Sequence, residues 1–304
     1  MTAVPTRRER QRQATFEEIV EVSRRLLRAG DDISVRAVAQ EMGLTPPALY
    51  RYVDSHADLL AMVTRSVFED VVAAMAVARD AQSPDDPAAQ VVGASAAFRA
   101  WALRNPSEFQ LVFASSDSMQ AKSTQLKPTS VPGGSVPRDS VGGGAREVDS
   151  VQEDPEGSSP ATTPHITSLA DCLPDDSGVH LFAAFFSEIF GRLWVKYQFA
   201  IPSDDDLDPE LLAILRSEIK PDDVTQGLGS PTPGMVWMFE RAWARLYGTV
   251  TLEVFGHVHP GMISTGALFT ATMLDIGADL NITDEWPRLQ LVAKAEAARE
   301  PVSR

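Results

Sequence analysis

Apolar side chains recur along this chain at helical spacing, and one stretch, residues 35–53, sets how the rest is read. Val38, Ala39 and Met42 share one face of a first helix at i, i+1 and i+4, and Leu49, Tyr50 and Val53 repeat the pattern on a second. The two faces can share one small core. Ala39 and Gly43 lie four apart, a small residue for the helix crossing and then one able to take positive φ and end the first helix. Thr45 is positioned to cap the second helix, and Pro46 and Pro47 fill its first positions, where an amide hydrogen would find no partner. The prediction is a helix-turn-helix. Such pairs also occur in ordinary helical hairpins. Tyr50, Arg51 and Tyr52, however, are too large and polar for simple packing and suit contacts to phosphates and base edges.

Upstream, Phe16, Ile19, Val20, Ser23, Leu26 and Leu27 form one stripe of a helix expected from Arg12 to Ala29. Downstream, Leu59, Leu60, Val63, Val67, Val71 and Met75 mark a long fourth helix over residues 58–79, and a fifth starts near Pro87 and runs toward Arg104. Residues 115–178 differ in kind: these 64 positions hold 31 Ser, Thr, Pro or Gly, no Phe, Trp or Tyr, and ten acidic against four basic residues. Too few side chains there can bury apolar surface to offset the entropy of ordering, which predicts a disordered insertion within one helical domain. From Val179 the apolar pattern resumes, and residues 181–197 carry large side chains on more than one stripe, as a helix buried on several sides would. A short helix from Asp208 to Ile219 follows, then two last helices, Met235 to Phe255 and Gly261 to Leu280, joined at His257–Gly261. Gly261, Ser264, Gly266, Ala267, Ala271 and Gly277 are small enough for such helices to approach closely. The fold class is all-α: a three-helix helix-turn-helix domain over residues 1–62, and a helical domain over residues 63–304 interrupted at 115–178.

A net charge of −15 opposes binding to a polyanion, but its distribution does not. Residues 1–56 hold nine Arg against eight Asp or Glu, so the remainder carries −16. Arg7, Arg8, Arg10 and Arg12 form a basic N-terminal arm, either a solubilising tail or one that reaches DNA. The acidic remainder would confine polyanion binding to one end of the molecule. With 44% apolar and 23% charged residues the composition is globular. Neither a membrane-spanning apolar run nor the apolar core of a signal peptide is present, which predicts a cytoplasmic protein without a membrane partner. The single cysteine, Cys172, cannot form an internal disulfide.

At this point a family resemblance becomes specific. Residues from Phe16 to Val63 resemble the N-terminal domain of the tetracycline-repressor (TetR) family of bacterial transcription regulators. The resemblance is carried by the Gly turn closing the first helix at Leu26–Gly30, by Leu49-Tyr-Arg-Tyr-Val53, and by the segment Asp54-Ser-His-Ala-Asp-Leu-Leu60. His56 stands where the family usually has a phosphate-touching lysine. Asn105–Phe113 is similar to a Pro-x-x-Phe turn of many such C-terminal domains. Trp243–Gly256 is similar to the Trp-x-x-x-His-Gly pattern of one branch, with Tyr247 in place of the usual His. The resemblance implies a homodimer that binds a palindromic double-stranded DNA operator, with a small-molecule effector releasing it and the last two long helices pairing across the dimer. Matched position by position, it implies that Arg36, Pro46, Pro47, Ala48 and Arg51 face base edges, whereas Thr45, Tyr50, Tyr52 and His56 touch backbone.

An excess of aromatics suggests where the effector goes. Trp101, Phe109 and Phe113, then Phe186, Phe190, Trp194 and Tyr197, then Trp243 and Tyr247 come from three elements that could enclose a cavity for a flat, mostly apolar ligand. A plain hydrophobic core is the competing reading for each of them. Other chemistries find little support. Asp204, Asp206 and Asp208 alternate like the start of a calcium loop, but Pro209 replaces the required Gly and Leu215 the terminal Glu, so a solvated helix start is the better reading. His257 and His259 lack further ligands, and Gly93-Ala-Ser95 has no strand before it, so neither a metal site, a cofactor nor an enzyme is expected. The alternative is a helical ligand-binding or scaffold protein whose N-terminal module docks protein.

Overall fold

The computed structural model describes residues 6–114, 178–218 and 231–299, and the regular structure in these segments is helical throughout. One long helix and two short ones form a head: α1 (Arg7–Ala29), α2 (Val35–Glu41) and α3 (Pro46–Leu49). The body follows as α4 (His56–Asp80), α5 (Pro87–Arg104), α6 (Pro106–Phe109), α7 (Gly178–Tyr197), α8 (Pro209–Glu218), α9 (Pro233–Val254), α10 (Pro260–Thr265), α11 (Ala267–Asp279) and α12 (Trp286–Ala297). The insertion expected at 115–178 lies outside the described residues except for Gly178, which opens α7.

The expected basic arm is instead the beginning of α1. Thr6 Oγ1 accepts from the Glu9 amide at 3.3 Å while the Glu9 carboxylate accepts from the Thr6 amide at 2.6 Å, a capping box that starts the helix five residues earlier than the apolar stripe indicates. Arg7, Arg8, Arg10 and Arg12 therefore ride on an ordered helix. Its other end closes at Gly30, φ +83°, with the Asp31 amide donating to the Leu26 carbonyl at 3.0 Å.

Helix α4 crosses the expected domain boundary at residue 62 without a break. Leu59 and Val63 in its first half and Val71 and Met75 in its second are all fully buried, and the apolar core runs continuously from Ile19 in α1 to Ala293 in α12. Helix α5 is buried along most of its length, which its Ala-Gly-Ser run permits. A Cβ at Gly93 would lie 3.3 Å from the Ala78 carbonyl, so this glycine sets the close crossing of α4 and α5. Helix α6 runs straight into a π-helical turn over Gln110–Ala114 that turns both Phe109 and Phe113 toward Phe98, with the two ring centroids 4.9 Å apart.

Two features of the C-terminal part depart from the pattern-based expectation. The last expected helix is two, α10 and α11, broken at Gly266 with φ +65°, where the Arg99 guanidinium donates to the Ile263 carbonyl at 2.6 Å and ends the first piece. A further helix, α12, then packs against α5 through Leu289 and Val292. No helix of the described residues is long and apolar enough to cross a membrane.

Candidate nucleic-acid interface and regulatory cavity

The head is held by burial on one side and left open on the other. Val38, Ala39, Leu49 and Val53 are fully buried, and Ile19 of α1 closes over them. Gly43, φ +68°, terminates α2, with the Leu44 amide donating to the Ala39 carbonyl at 2.8 Å and the Gly43 amide to Gln40 at 3.1 Å. A Cβ at Gly43 would touch nothing, so the glycine is required by the backbone angle alone. Thr45 occupies the cap position of α3, yet its hydroxyl makes no capping bond. The reason is chemical: Pro46 and Pro47 have no amide hydrogens, and the Ala48 amide bonds the Thr45 carbonyl at 2.9 Å.

The outer side of this pair carries the residues singled out for DNA. Arg36, Thr45, Pro46, Pro47, Tyr50, Arg51 and His56 are exposed, and Ala48 and Tyr52 are half-buried. Tyr50, grouped by spacing with the core residues Leu49 and Val53, stands 51% exposed: α3 closes at Leu49, and the chain from Tyr50 turns away from the ideal helix. Tyr52 meets the edge of Phe16 at 5.6 Å, so α1 braces the end of α3. His56 Nε2 lies 2.7 Å from the Ile33 carbonyl, and because a carbonyl only accepts, that nitrogen carries the proton. Nδ1 of the neutral ring is then an acceptor, and only the protonated ring could donate to a phosphate.

Between head and body lies a buried ion cluster that sequence reading missed. Arg24 of α1, 6% exposed, donates from Nε and Nη2 to the two oxygens of Glu108 at 2.8 and 3.0 Å, and from Nη2 to Asp70 of α4 at 2.9 Å. The same Asp70 oxygen accepts from the Trp101 indole at 3.1 Å, and Arg28 adds a 3.0 Å bond to the fully buried Glu108. Burial works against the Arg24 charge, but the hydrogen bonds and charges of Glu108 and Asp70 outweigh it and raise the guanidinium above its ordinary value. Four helices, α1, α4, α5 and α6, are thereby tied at one point.

The body holds a partly open cavity of about 50 Å³. Val91 and Ser95 of α5, Phe186 and Phe190 of α7, Phe239, Ala242, Trp243 and Leu246 of α9, and Met273, Ile276 and Gly277 of α11 line it, with Leu280 and Ile282 closing one end. Of the nine aromatics expected to converge, only Phe186, Phe190 and Trp243 face this space. Phe109, Phe113 and Tyr247 pack into a filled aromatic core with Phe98 and Phe182, Tyr247 stacking on Trp243 at 5.4 Å and donating its hydroxyl to the Phe113 carbonyl at 2.5 Å. Trp101 is committed to Asp70, and Trp194 and Tyr197 are half-buried away from the cavity. Apart from Phe239 and Ser95 the remaining walls are aliphatic or glycine, residues indistinguishable in sequence from ordinary core.

The weighed alternatives have structural uses. Asp204 pairs with Arg216 at 2.6 Å, Asp206 caps its own turn through Ser203, and Asp208 accepts from the Glu210 amide at 2.9 Å at the start of α8. His259 Nδ1 accepts from the Gly261 amide at 3.1 Å and caps α10. Among the described residues no group of three or more His, Cys, Asp or Glu could hold a metal ion.

Comparison with known proteins gives matches over most of the chain. Residues 91–276 match the sequence profile described as tetracyclin repressor-like, C-terminal domain. HTH-type transcriptional regulators of Mycobacterium bovis and of Mycobacterium tuberculosis are 25% identical over 257 residues, spanning 84% of this chain and 87% of theirs. Among solved structures, the crystal structure of the regulatory protein SCO4313 superposes with a TM-score of 0.52 at 20% identity, covering 89% of this chain and 98% of that one, a likeness of fold.

Proposed function

Since the chain belongs to the tetracycline-repressor-like family, we propose that it is a DNA-binding transcriptional repressor that reads a palindromic operator as a homodimer and is released by a small, mostly apolar effector. The observation that carries this reading is the open face of the head: Arg36, Thr45, Pro46, Pro47, Tyr50 and Arg51 exposed together on a helix pair whose apolar side is fully buried. Arg51 offers a guanidinium to the two acceptors of a guanine edge, and the uncommitted Thr45 hydroxyl suits a phosphate. Arg36, Pro46, Pro47 and Ala48 would border the bases, with Tyr50, Tyr52 and, when protonated, His56 on the backbone. Two heads of a dimer would enter successive major grooves about 34–36 Å apart.

The effector would occupy the cavity between α5, α7, α9 and α11. Its walls are apolar apart from the Ser95 hydroxyl and the Trp243 indole, and the nearest cation in α5, Arg99, is already paired with the buried Glu253 at 2.5 Å. An uncharged ligand fits that chemistry, and an anion does not. Since the cavity is smaller than the roughly 300–1,000 Å³ of drug-sized sites, filling it would press its walls apart. Helix α5 carries Ser95 at the cavity and Trp101 at the ion cluster, so a shift of α5 or α6 would pull on Arg24 and turn the head. A coupling of a few kcal/mol is enough to change the population of DNA-competent dimers. The test is footprinting on the DNA upstream of the protein's own gene, repeated across salt concentrations and with uncharged aromatic compounds. Salt-dependent protection that one such compound abolishes is expected. A protein that protects no DNA at low salt but captures a protein partner through the head would establish the docking alternative.

A further inference from the structure

We propose that Glu253 is the polar anchor of the effector site: an uncharged ligand whose apolar body enters the cavity donates an O–H or N–H to its carboxylate oxygen Oε1. The inference rests on the reading of the cavity as the effector site and adds the group that the effector must carry. Three of the helices that wall the cavity meet again in the next layer toward the ion cluster. On α5, Arg99 follows the cavity residue Ser95 at i+4, and on α11, Phe269 precedes Met273 by four. On α9, Val250 and Glu253 follow Leu246 at i+4 and i+7. Each set shares one helix face, so Arg99, Glu253 and Phe269 adjoin the cavity. Glu253 stands about 10 Å along α9 from Leu246, but helical side chains lean toward the N-terminus, which returns its carboxylate toward the cavity.

In this layer the pairing is incomplete. Arg99 Nε donates to Glu253 Oε2 at 2.5 Å, whereas Nη2 donates to the Ile263 carbonyl at 2.6 Å and not to the second carboxylate oxygen. The guanidinium also lies 5.6 Å over the Phe269 ring, and a Cβ on Gly266 would sit 3.6 Å from Nη1, so it is held on several sides and cannot turn to serve both oxygens. The Glu253 side chain is fully buried, and among the described residues no donor reaches its Oε1. That oxygen has given up water without a replacement. Burial pushes the carboxyl above its ordinary pKa against the pull of Arg99, as befits a group short of partners. Charge then selects the ligand. An ionised carboxylate only accepts, so an anion is repelled. A cation would leave the balanced Arg99–Glu253 pair with a net buried charge, whereas a neutral donor keeps it balanced. Val250, fully buried, stands between Leu246 and Glu253 on the same face, so displacing one valine side chain completes the site.

The experiment titrates the full chain by calorimetry at neutral pH with para-ethylphenol, its methyl ether and ethylbenzene: one apolar body with a donor, with an acceptor only, and with neither. Wild type should bind the phenol about tenfold more tightly than the other two, as a hydrogen bond to an ionised group allows. In Glu253→Gln, Arg99 still requires an acceptor and holds the amide oxygen, which turns the NH2 toward the ligand, so the preference should pass to the ether. Val250→Leu keeps the ion pair and lengthens the side chain in front of it. It should reduce affinity for the phenol to that for ethylbenzene, and it carries the test if the Gln variant does not fold. Equal binding of all three compounds by wild type would overturn the anchor while leaving the reading of the cavity intact. So would a preference for the phenol that survives in the Gln or Leu variant, since the hydroxyl would then be read elsewhere, at Ser95 or Trp243. Binding of none of the three would overturn the cavity as effector site and the anchor with it.

Discussion

The head and the body solve opposite problems. In the head, the apolar positions are few and buried, and the chemistry sits outside: the exposed Arg36, Thr45 and Arg51 are held by Val38, Leu49 and Val53 behind them. In the body the chemistry is inside, in a cavity whose walls come from α5, α7, α9 and α11 and differ little from the surrounding core. A recognition surface of the first kind follows from local rules of capping and turn formation. A cavity of the second kind follows from packing between segments far apart in sequence. Besides the unbroken helix α4 and the shared apolar core, the two are tied where Arg24, Asp70, Trp101 and Glu108 bind one another.

Breaking that junction gives the largest expected effect. Arg24→Met leaves Glu108 fully buried with only the half-exposed Arg28 to balance it, and should cost about 3–5 kcal/mol in denaturant unfolding. A loss below about 1 kcal/mol would mean that head and body are not joined there. Arg51→Ala, on an exposed site, should leave stability unchanged and cost about 1–3 kcal/mol of discrimination at a single base pair. Competition with single-base-pair variants of the operator measures it, and equal preference in mutant and wild type removes Arg51 from base reading.

The body's counterpart is Ala242→Leu, which fills the cavity beside Trp243. It should raise the concentration of uncharged aromatic compound needed to quench tryptophan fluorescence by about tenfold, about 1.4 kcal/mol, without weakening ligand-free DNA binding. An unaltered titration would locate the effector elsewhere. Gly43→Ala is the smallest: its Cβ meets nothing, so the positive φ alone should cost about 1 kcal/mol by thermal melting.

This contrast also explains what was legible in the sequence. Gly30 and Gly43 both take the positive φ that their positions after apolar helical stripes require, and Pro46 and Pro47 do open α3. The early start of α1 was written in Thr6 and Glu9, a capping box three residues apart, but it is masked by the basic run it carries. Helix α12 had a signal too, Pro287 in its first turn and Leu289 and Ala293 four apart, though its polar remainder gives little amphipathic contrast. The cavity had none. Phe186, Phe190 and Trp243 line it while Phe109, Phe113 and Tyr247 fill the core beside it, and nothing in residue type or spacing separates the two groups. Nor could spacing reveal that Arg24 and Glu108, eighty-four positions apart, share two hydrogen bonds.

The most direct measurement is a hydroxyl-radical footprint of the wild-type protein and of Arg51→Ala on the DNA upstream of its gene. Two protected half-sites about one helical turn apart, related by a two-fold axis, are expected for wild type. Arg51→Ala should then protect the same region with weakened preference at one symmetric base pair. No protection at low salt, or the same protection and the same sequence preference for both proteins, would contradict DNA reading by the α2–α3 face.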